Sequence, residues 1–197
     1  RELTTAHGAL LILDEIQTGA GRTGDWFAFQ HAGELPEGVL PDAIALAKGI
    51  GGGVPIGALV TTGAASELFT LGQHGSTFGG NPLATGVADA VLAEIERADL
   101  VANAARRGEQ LRAGILALGS DLSGDLIREV RGRGLLLGIE VAEPIAPAIV
   151  GHALQRGLIV NATGPTTVRL APPLIIGDAE IDRFLTVFAA SLEAARP

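Results

Sequence analysis

Ala43-Ile44-Ala45-Leu46-Ala47-Lys48, followed by Gly49-Ile50-Gly51-Gly52-Gly53, is the stretch on which the reading of this chain turns. The apolar run Ala43 to Ala47 reads as a strand buried on both faces, the habit of a parallel sheet. Lys48 closes the run, and it is the single lysine among the 14 Lys and Arg residues; the rest are arginine. An amine can lose its proton near neutral pH and form an imine, whereas a guanidinium stays protonated. A position that keeps the amine in an arginine-rich chain is therefore a candidate for chemistry, with arginine-for-lysine drift as the bland alternative.

A second apolar run, Ala9-Leu10-Leu11-Ile12-Leu13, ends on Asp14. From position 14 to position 48 is 34 residues, about one strand–crossover–strand unit. Parallel sheets gather ligands at the carboxyl ends of their strands, and Asp14 and Lys48 both fall there. A carboxylate at the end of a greasy strand is costly to bury unless it has a partner. It suits holding one cationic N–H, such as that of a protonated pyridine ring; capping a turn or pairing an arginine is the alternative. Glu15 would point to the opposite face if the strand continued, so no carboxylate dyad is expected. A lysine that forms an imine and an acid that holds a ring nitrogen are what pyridoxal phosphate (PLP) requires.

Ile56 to Val60 reads as a third strand of the same kind, ending at Thr61-Thr62. Asn81-Pro82 opens a helix to about Arg97, with asparagine as N-cap and proline at the first helical position. A second helix starts at Asp99, with Leu100, Ala104, Leu111, Ile115 and Leu118 on one face. After Gly119 the texture changes. Leu135 to Val141 reads as a strand, Pro147 to Arg156 as a helix, and Leu158-Ile159-Val160 and Val168-Arg169-Leu170 as short strands. A last helix starts near Asp178, with Ile181, Phe184, Leu185, Phe188 and Leu192 at helical spacing. The expected division is an α/β part over 1–98 and a smaller α+β part over 99–197.

The bulk properties narrow the function. At 197 residues the chain can bury a real core. It is 47% hydrophobic but only 4% aromatic, so that core is aliphatic and alanine-rich. A net charge of −8 argues against nucleic acid as a partner. Without cysteine there is no disulfide and no thiolate metal site. His7, His31, His74 and His152 show no metal spacing, so no metal is expected. The apolar runs are too short to span a membrane, and a cytoplasmic location is expected.

Several motifs in order carry a resemblance. Leu11-Ile12-Leu13-Asp14-Glu15-Ile16-Gln17-Thr18-Gly19, Gly21-Arg22-Thr23-Gly24 and Ala47-Lys48-Gly49 resemble the class III aminotransferases of PLP fold type I. His74-Gly75-Ser76-Thr77-Phe78-Gly79-Gly80-Asn81-Pro82-Leu83-Ala84 is similar to the loop of the branch acting on acetylornithine and ornithine. Asn161-Ala162 with Val168-Arg169-Leu170-Ala171-Pro172-Pro173-Leu174 is similar to the C-terminal domain of that branch.

The resemblance implies a fold, a site and a reaction. The fold would be part of the large PLP-binding domain, a mostly parallel sheet, followed by a small C-terminal domain. Lys48 would carry the cofactor. Asp14, Glu15, Ile16 and Gln17 would lie among the cofactor-binding residues, with Asp14 on the pyridine nitrogen, Ile16 on the ring face and Gln17 near the phenolic oxygen. Thr77 would bind the phosphate of the neighbouring subunit's cofactor in a homodimer. Ser76 would lie beside the substrate, and Arg169 would clamp the α-carboxylate of glutamate or 2-oxoglutarate. The implied reaction is transamination between N-acetylornithine and 2-oxoglutarate in arginine biosynthesis. Ornithine, succinylornithine or 4-aminobutyrate as donor, and a non-catalytic fragment, are the alternatives. Family members also carry an upstream half with a phosphate loop and a ring-stacking aromatic, so these 197 residues alone are expected to bind PLP poorly.

Overall fold

The computed structural model describes residues 1–31, 39–121 and 126–196. The chain divides into two compact units, Arg1–Val101 and Ala102–Pro197.

In the first unit a short helix α1 (Glu2–Ala6) precedes strand β1 (Ile12–Asp14). Strands β2 (Ala43–Leu46) and β3 (Ala58–Thr61) complete a sheet of order β1-β2-β3. β1 and β2 run parallel, with Ile12 opposite Ala43 and Asp14 opposite Ala45. β3 departs from the parallel habit read from its sequence: it runs antiparallel to β2. Only residues 47–57 separate these two strands, too few for a crossover helix. Burial also departs from expectation. Ala43 and Ile44 are buried, but Leu10 and Ile12 are exposed, as is β3 along most of its length. The first apolar run thus yields only a three-residue strand.

Helix α2 (Pro82–Arg97) starts where the Asn-Pro pair puts it. The Asn81 side-chain oxygen accepts from the Ala84 N–H at 3.0 Å, satisfying a donor that the first turn leaves without an internal partner. Ala84, Ala88 and Ile95 are its buried face. Asn81→Ala is expected to lower stability by about 1 kcal/mol, read as a lower urea midpoint at unchanged m-value.

Helix α3 (Leu100–Asp121) follows after Asp99. In the second unit it lies among strands β4 (Ile127–Arg133), β5 (Leu136–Val141), β6 (Asn161–Ala162) and β7 (Thr167–Leu170) and helices α4 (Ala146–Gln155) and α5 (Asp178–Ala194). The sheet order is β4-β5-β7-β6, all antiparallel. One face of it carries Val130, Leu137, Ile139, Val168 and Leu170 into an aliphatic core closed by Leu111, Ile115, Ile149, Phe184 and Phe188. The alternation of strand residues and the helical spacing of α3 and α5 meet in that core. Phe184 and Phe188 stack at 5.2 Å between centroids.

Two sequence readings need correction here. Leu158 to Val160 is not a strand; the Leu158 N–H returns to the Ala153 carbonyl at 2.9 Å as the chain leaves α4. β4 was not expected at all. Arg128, Glu129, Arg131 and Arg133 give it a polar texture, and Val130 is its buried residue.

Candidate active site

The register of β1 and β2 positions the first group of residues. Asp14 pairs with Ala45, and the Glu15 N–H donates to the Ala45 carbonyl at 3.0 Å. Lys48 lies three residues past Ala45, beyond the end of β2. Both residues therefore leave the carboxyl ends of adjacent parallel strands.

The conformation of Lys48 is unusual. Its φ is +49°, in the left-handed region that a long side chain occupies at a cost of about 1–2 kcal/mol. It opens a one-turn 3-10 segment, Lys48–Gly51, anchored by buried Ile50. The Lys48 side chain is exposed, and among the described residues no acceptor is recorded for its amine. The glycines that follow have a packing reason as well. Gly52 has φ +54°, and a Cβ there would sit 2.8 Å from Val91 Cγ2 of α2.

The carboxylates exchange the roles suggested by their burial. Asp14 is exposed rather than buried, and its Oδ1 accepts from the Ile16 N–H at 3.0 Å. That bond fixes the side chain and leaves Oδ2 open to a ligand. Glu15 is the buried one. Its Oε1 accepts from the Phe29 N–H at 3.1 Å and its Oε2 accepts from the Thr18 hydroxyl. Glu15 therefore braces the turn after β1 from the inside. Ile16 is half-buried and Gln17 is exposed with no recorded partner among the described residues. Arg22, in the same turn region, has its guanidinium pushed down by burial, which fits a structural role.

The loop before α2 holds the next pair. Ser76 Oγ accepts from the Gly79 N–H at 2.9 Å, and the Asn81 side-chain amide donates to the Phe78 carbonyl at 2.9 Å. These bonds shape the loop and leave Thr77 exposed, its hydroxyl without a recorded partner among the described residues.

In the second unit, Arg169 lies between buried Val168 and Leu170 on β7, so it projects from the polar face of the sheet. It is half-buried and lines a cavity of about 350 Å³ with Leu158, Pro172, Arg183 and Phe184. No acceptor for its guanidinium is recorded among the described residues. A half-buried cation without an internal partner is suited to an anionic ligand.

Sequence reading missed the residues around it. Arg131 on β4 donates to Glu140 on β5 at 3.0 Å, and the Thr167 hydroxyl donates to the same Glu140 oxygen at 2.6 Å. Hydrogen bonds from the Thr166 and Thr167 side chains and from Arg131 bring the Glu140 carboxyl down to about 2, from an ordinary 4.5. A depressed carboxyl contributes fully above its unfolded value and loses that contribution as pH falls through its folded one. The Glu140 carboxyl carbon is thus expected to titrate near pH 2 by NMR, and the network to persist down to that range. The alternation of charge along β4 is the signal that would have revealed this face.

Known proteins resemble this chain over nearly its whole length. The aminotransferase class-III family model matches residues 1–192. The chain is 52% identical over 195 residues to the acetylornithine aminotransferase of Mycobacterium leprae, covering 99% of this chain and 46% of that protein. It is 50% identical over 195 residues to the acetylornithine aminotransferase of Mycolicibacterium smegmatis, covering 99% and 48%. Among solved structures, the N-acetylornithine aminotransferase of Stenotrophomonas maltophilia superposes with a TM-score of 0.85 at 38% identity, over 98% of this chain and 50% of that one. The ornithine aminotransferase of Toxoplasma gondii does so with 0.85 at 37%, over 98% and 45%. The chain spans about half the length of the curated relatives it matches. With a family match across nearly its whole length, the chain belongs to the class III aminotransferases, a family dependent on pyridoxal phosphate.

Proposed function

We propose that this chain is the Lys48-bearing portion of an aminotransferase that exchanges the amino group of N-acetyl-L-ornithine with 2-oxoglutarate. The products are N-acetyl-L-glutamate 5-semialdehyde and L-glutamate. The observation that carries the reading is the β1/β2 register, which sends Asp14 and a left-handed Lys48 out of adjacent strand ends. The choice of donor rests on the names of relatives about 50% identical to this chain.

The residues fit the cofactor by their chemistry. Lys48 offers an exposed amine, Asp14 a second carboxylate oxygen beside the one bound to Ile16, and Thr77 an exposed hydroxyl with no hydrogen bond among the described residues. When bound, pyridoxal phosphate supplies a carbonyl for the substrate amine and a ring that takes up electron density. Lys48 would hold the group and then, as general acid–base, carry the proton taken from the substrate α-carbon to the carbon that receives the amino group. Asp14 would accept a hydrogen bond from the ring nitrogen and keep its proton in place. Ile16 would pack on the ring face, and Gln17 would donate near the phenolic oxygen. Thr77 would bind phosphate across a homodimer contact. Ser76 lies beside the substrate, and Arg169 takes its carboxylate with two parallel N–H donors. In this reading residues 1–98 are part of the cofactor domain and 99–197 the small domain of a cytoplasmic enzyme. No helix among the described residues is long and apolar enough to cross a membrane.

The test is a donor comparison with the full-length protein. N-Acetylornithine, ornithine, succinylornithine and 4-aminobutyrate are each supplied with 2-oxoglutarate, and glutamate is measured. The reading expects the highest kcat/KM with N-acetylornithine. A higher value with any other donor overturns the substrate assignment, and no glutamate from any donor overturns the activity.

A further inference from the structure

The sheet of the second unit keeps its charged groups on the face opposite the core. Arg131, Gly138 and Arg169 stand in one cross-strand row, paired Arg131 to Gly138 and Gly138 to Arg169. Directly paired residues project from the same face of a sheet. Glu140 pairs with Thr167, two residues before Arg169. Glu140 and Arg169 are therefore diagonal neighbours, about 7–8 Å apart at the backbone and within reach of long side chains. A carboxylate so placed could neutralise Arg169, yet no ion pair between the two is found among the described residues.

Glu140 is engaged elsewhere. Arg131 donates to its Oε2 at 3.0 Å, and Thr167 donates to the same atom at 2.6 Å. Arg131 reaches that place by lying across Gly138. A Cβ at Gly138 would stand 3.6 Å from Arg131 Cγ and 3.7 Å from Arg131 Nε. These are ordinary contact distances, so Arg131 lies flat against the strand at Gly138 on its way from β4 to β7. The second nitrogen of the same guanidinium lies 3.4 Å from the Thr167 hydroxyl, a long contact that keeps the group on the β7 side. Glu129, 3.7 Å from Arg131, supplies a weaker second pairing.

We infer that Arg131 is a positioning residue: by holding Glu140 across Gly138, it reserves the Arg169 guanidinium for a carboxylate ligand. The inference rests on the reading of Arg169 as the substrate clamp. Its physical content is competition. With Arg131 removed, Glu140 turns to Arg169, and an incoming carboxylate must displace it. A half-exposed ion pair of that kind weakens the ligand by about fivefold.

The experiment titrates the full-length holoenzyme with glutarate, a dicarboxylate that has no amine or oxo group to react, and reads Kd by calorimetry. R131M is expected to bind about fivefold more weakly, and the double variant R131M/E140Q to return within about twofold of the parent. Rescue by deleting a second charge is a result that a merely structural role for Arg131 does not produce. E140Q alone is expected to bind at least as tightly as the parent, and it decides the matter if R131M does not fold. A double variant as weak as R131M overturns the inference, as does an R131M Kd equal to the parent's or a fivefold loss in E140Q. R169A separates the two layers. If R169A binds glutarate as the parent does, the clamp reading itself fails; if it loses binding while R131M does not, only the inference fails.

Discussion

Replacing Lys48 by alanine in the full-length protein is expected to lower transamination by at least about a thousandfold. Two separate tasks fall on the one Nζ atom: covalent attachment and proton transfer at the substrate α-carbon. Lys48→Arg should fail as completely, because a guanidinium keeps its charge but neither forms the imine nor gives up its proton at neutral pH. Stability should move the other way. Lys48 has φ +49°, a region in which glycine carries no steric penalty. Lys48→Gly is thus expected to be as stable as the parent or more stable by up to about 1 kcal/mol, while being inactive. Activity lost together with a large fall in the urea midpoint would mean that Lys48 holds the fold rather than the reaction. The combination of strain and function at one residue is the pattern expected where the surrounding structure overrides a local preference.

The second large effect is structural. Gly108 lies inside α3, where alanine ordinarily stabilises by about 1 kcal/mol over glycine. Gly108→Ala is expected to do the reverse. A Cβ at this position would lie 2.2 Å from the Gly134 carbonyl oxygen and 2.6 Å from its Cα. Those are backbone atoms of the turn joining β4 to β5, where Gly134 itself has φ +48°. No rotamer change relieves such a contact, so α3 or the turn must move. Leu135 and Leu137, both fully or nearly fully buried, follow that turn into the core. The net loss is expected to be about 3 kcal/mol or more, measured as a shift in the urea midpoint of the full-length protein. Unchanged or increased stability would show that α3 packs on this hairpin less closely than the structure has it.

Much of the framework was legible because it rests on local chemistry. The Asn81-Pro82 pair marked the start of α2, and the apolar positions of α3 and α5 fell on the faces that are buried. The solitary lysine and the run before it located the end of β2. What was not legible depends on contacts distant in sequence. The reading of the first apolar run as buried on both faces failed at Leu10 and Ile12, because burial depends on what covers a strand and not on its composition. The antiparallel direction of β3 lay in the length of its connection rather than in its residues. β4 was hidden by Arg128, Glu129, Arg131 and Arg133, whose charges face away from the core.

The site shows the same division. Lys48 and Asp14 could be singled out one at a time, but Asp14 was expected to be the buried carboxylate, and Glu15 is. The two differ by one position, and the turn after β1 decides which one points inward. Thr18 and Phe29 supply the partners that make burial of Glu15 tolerable, and neither is visible as a partner in the linear chain. Arg131 and Glu140 became visible only when the sheet register set them beside Arg169.

The central claim is that Lys48 carries the cofactor. The full-length protein is loaded with pyridoxal phosphate, reduced with borohydride, digested, and its peptides are weighed. The account predicts one phosphopyridoxyl adduct, on the peptide containing Ala47-Lys48-Gly49, that disappears in Lys48→Arg. An unmodified Lys48 in a protein that still holds the reduced cofactor on another amine would contradict it.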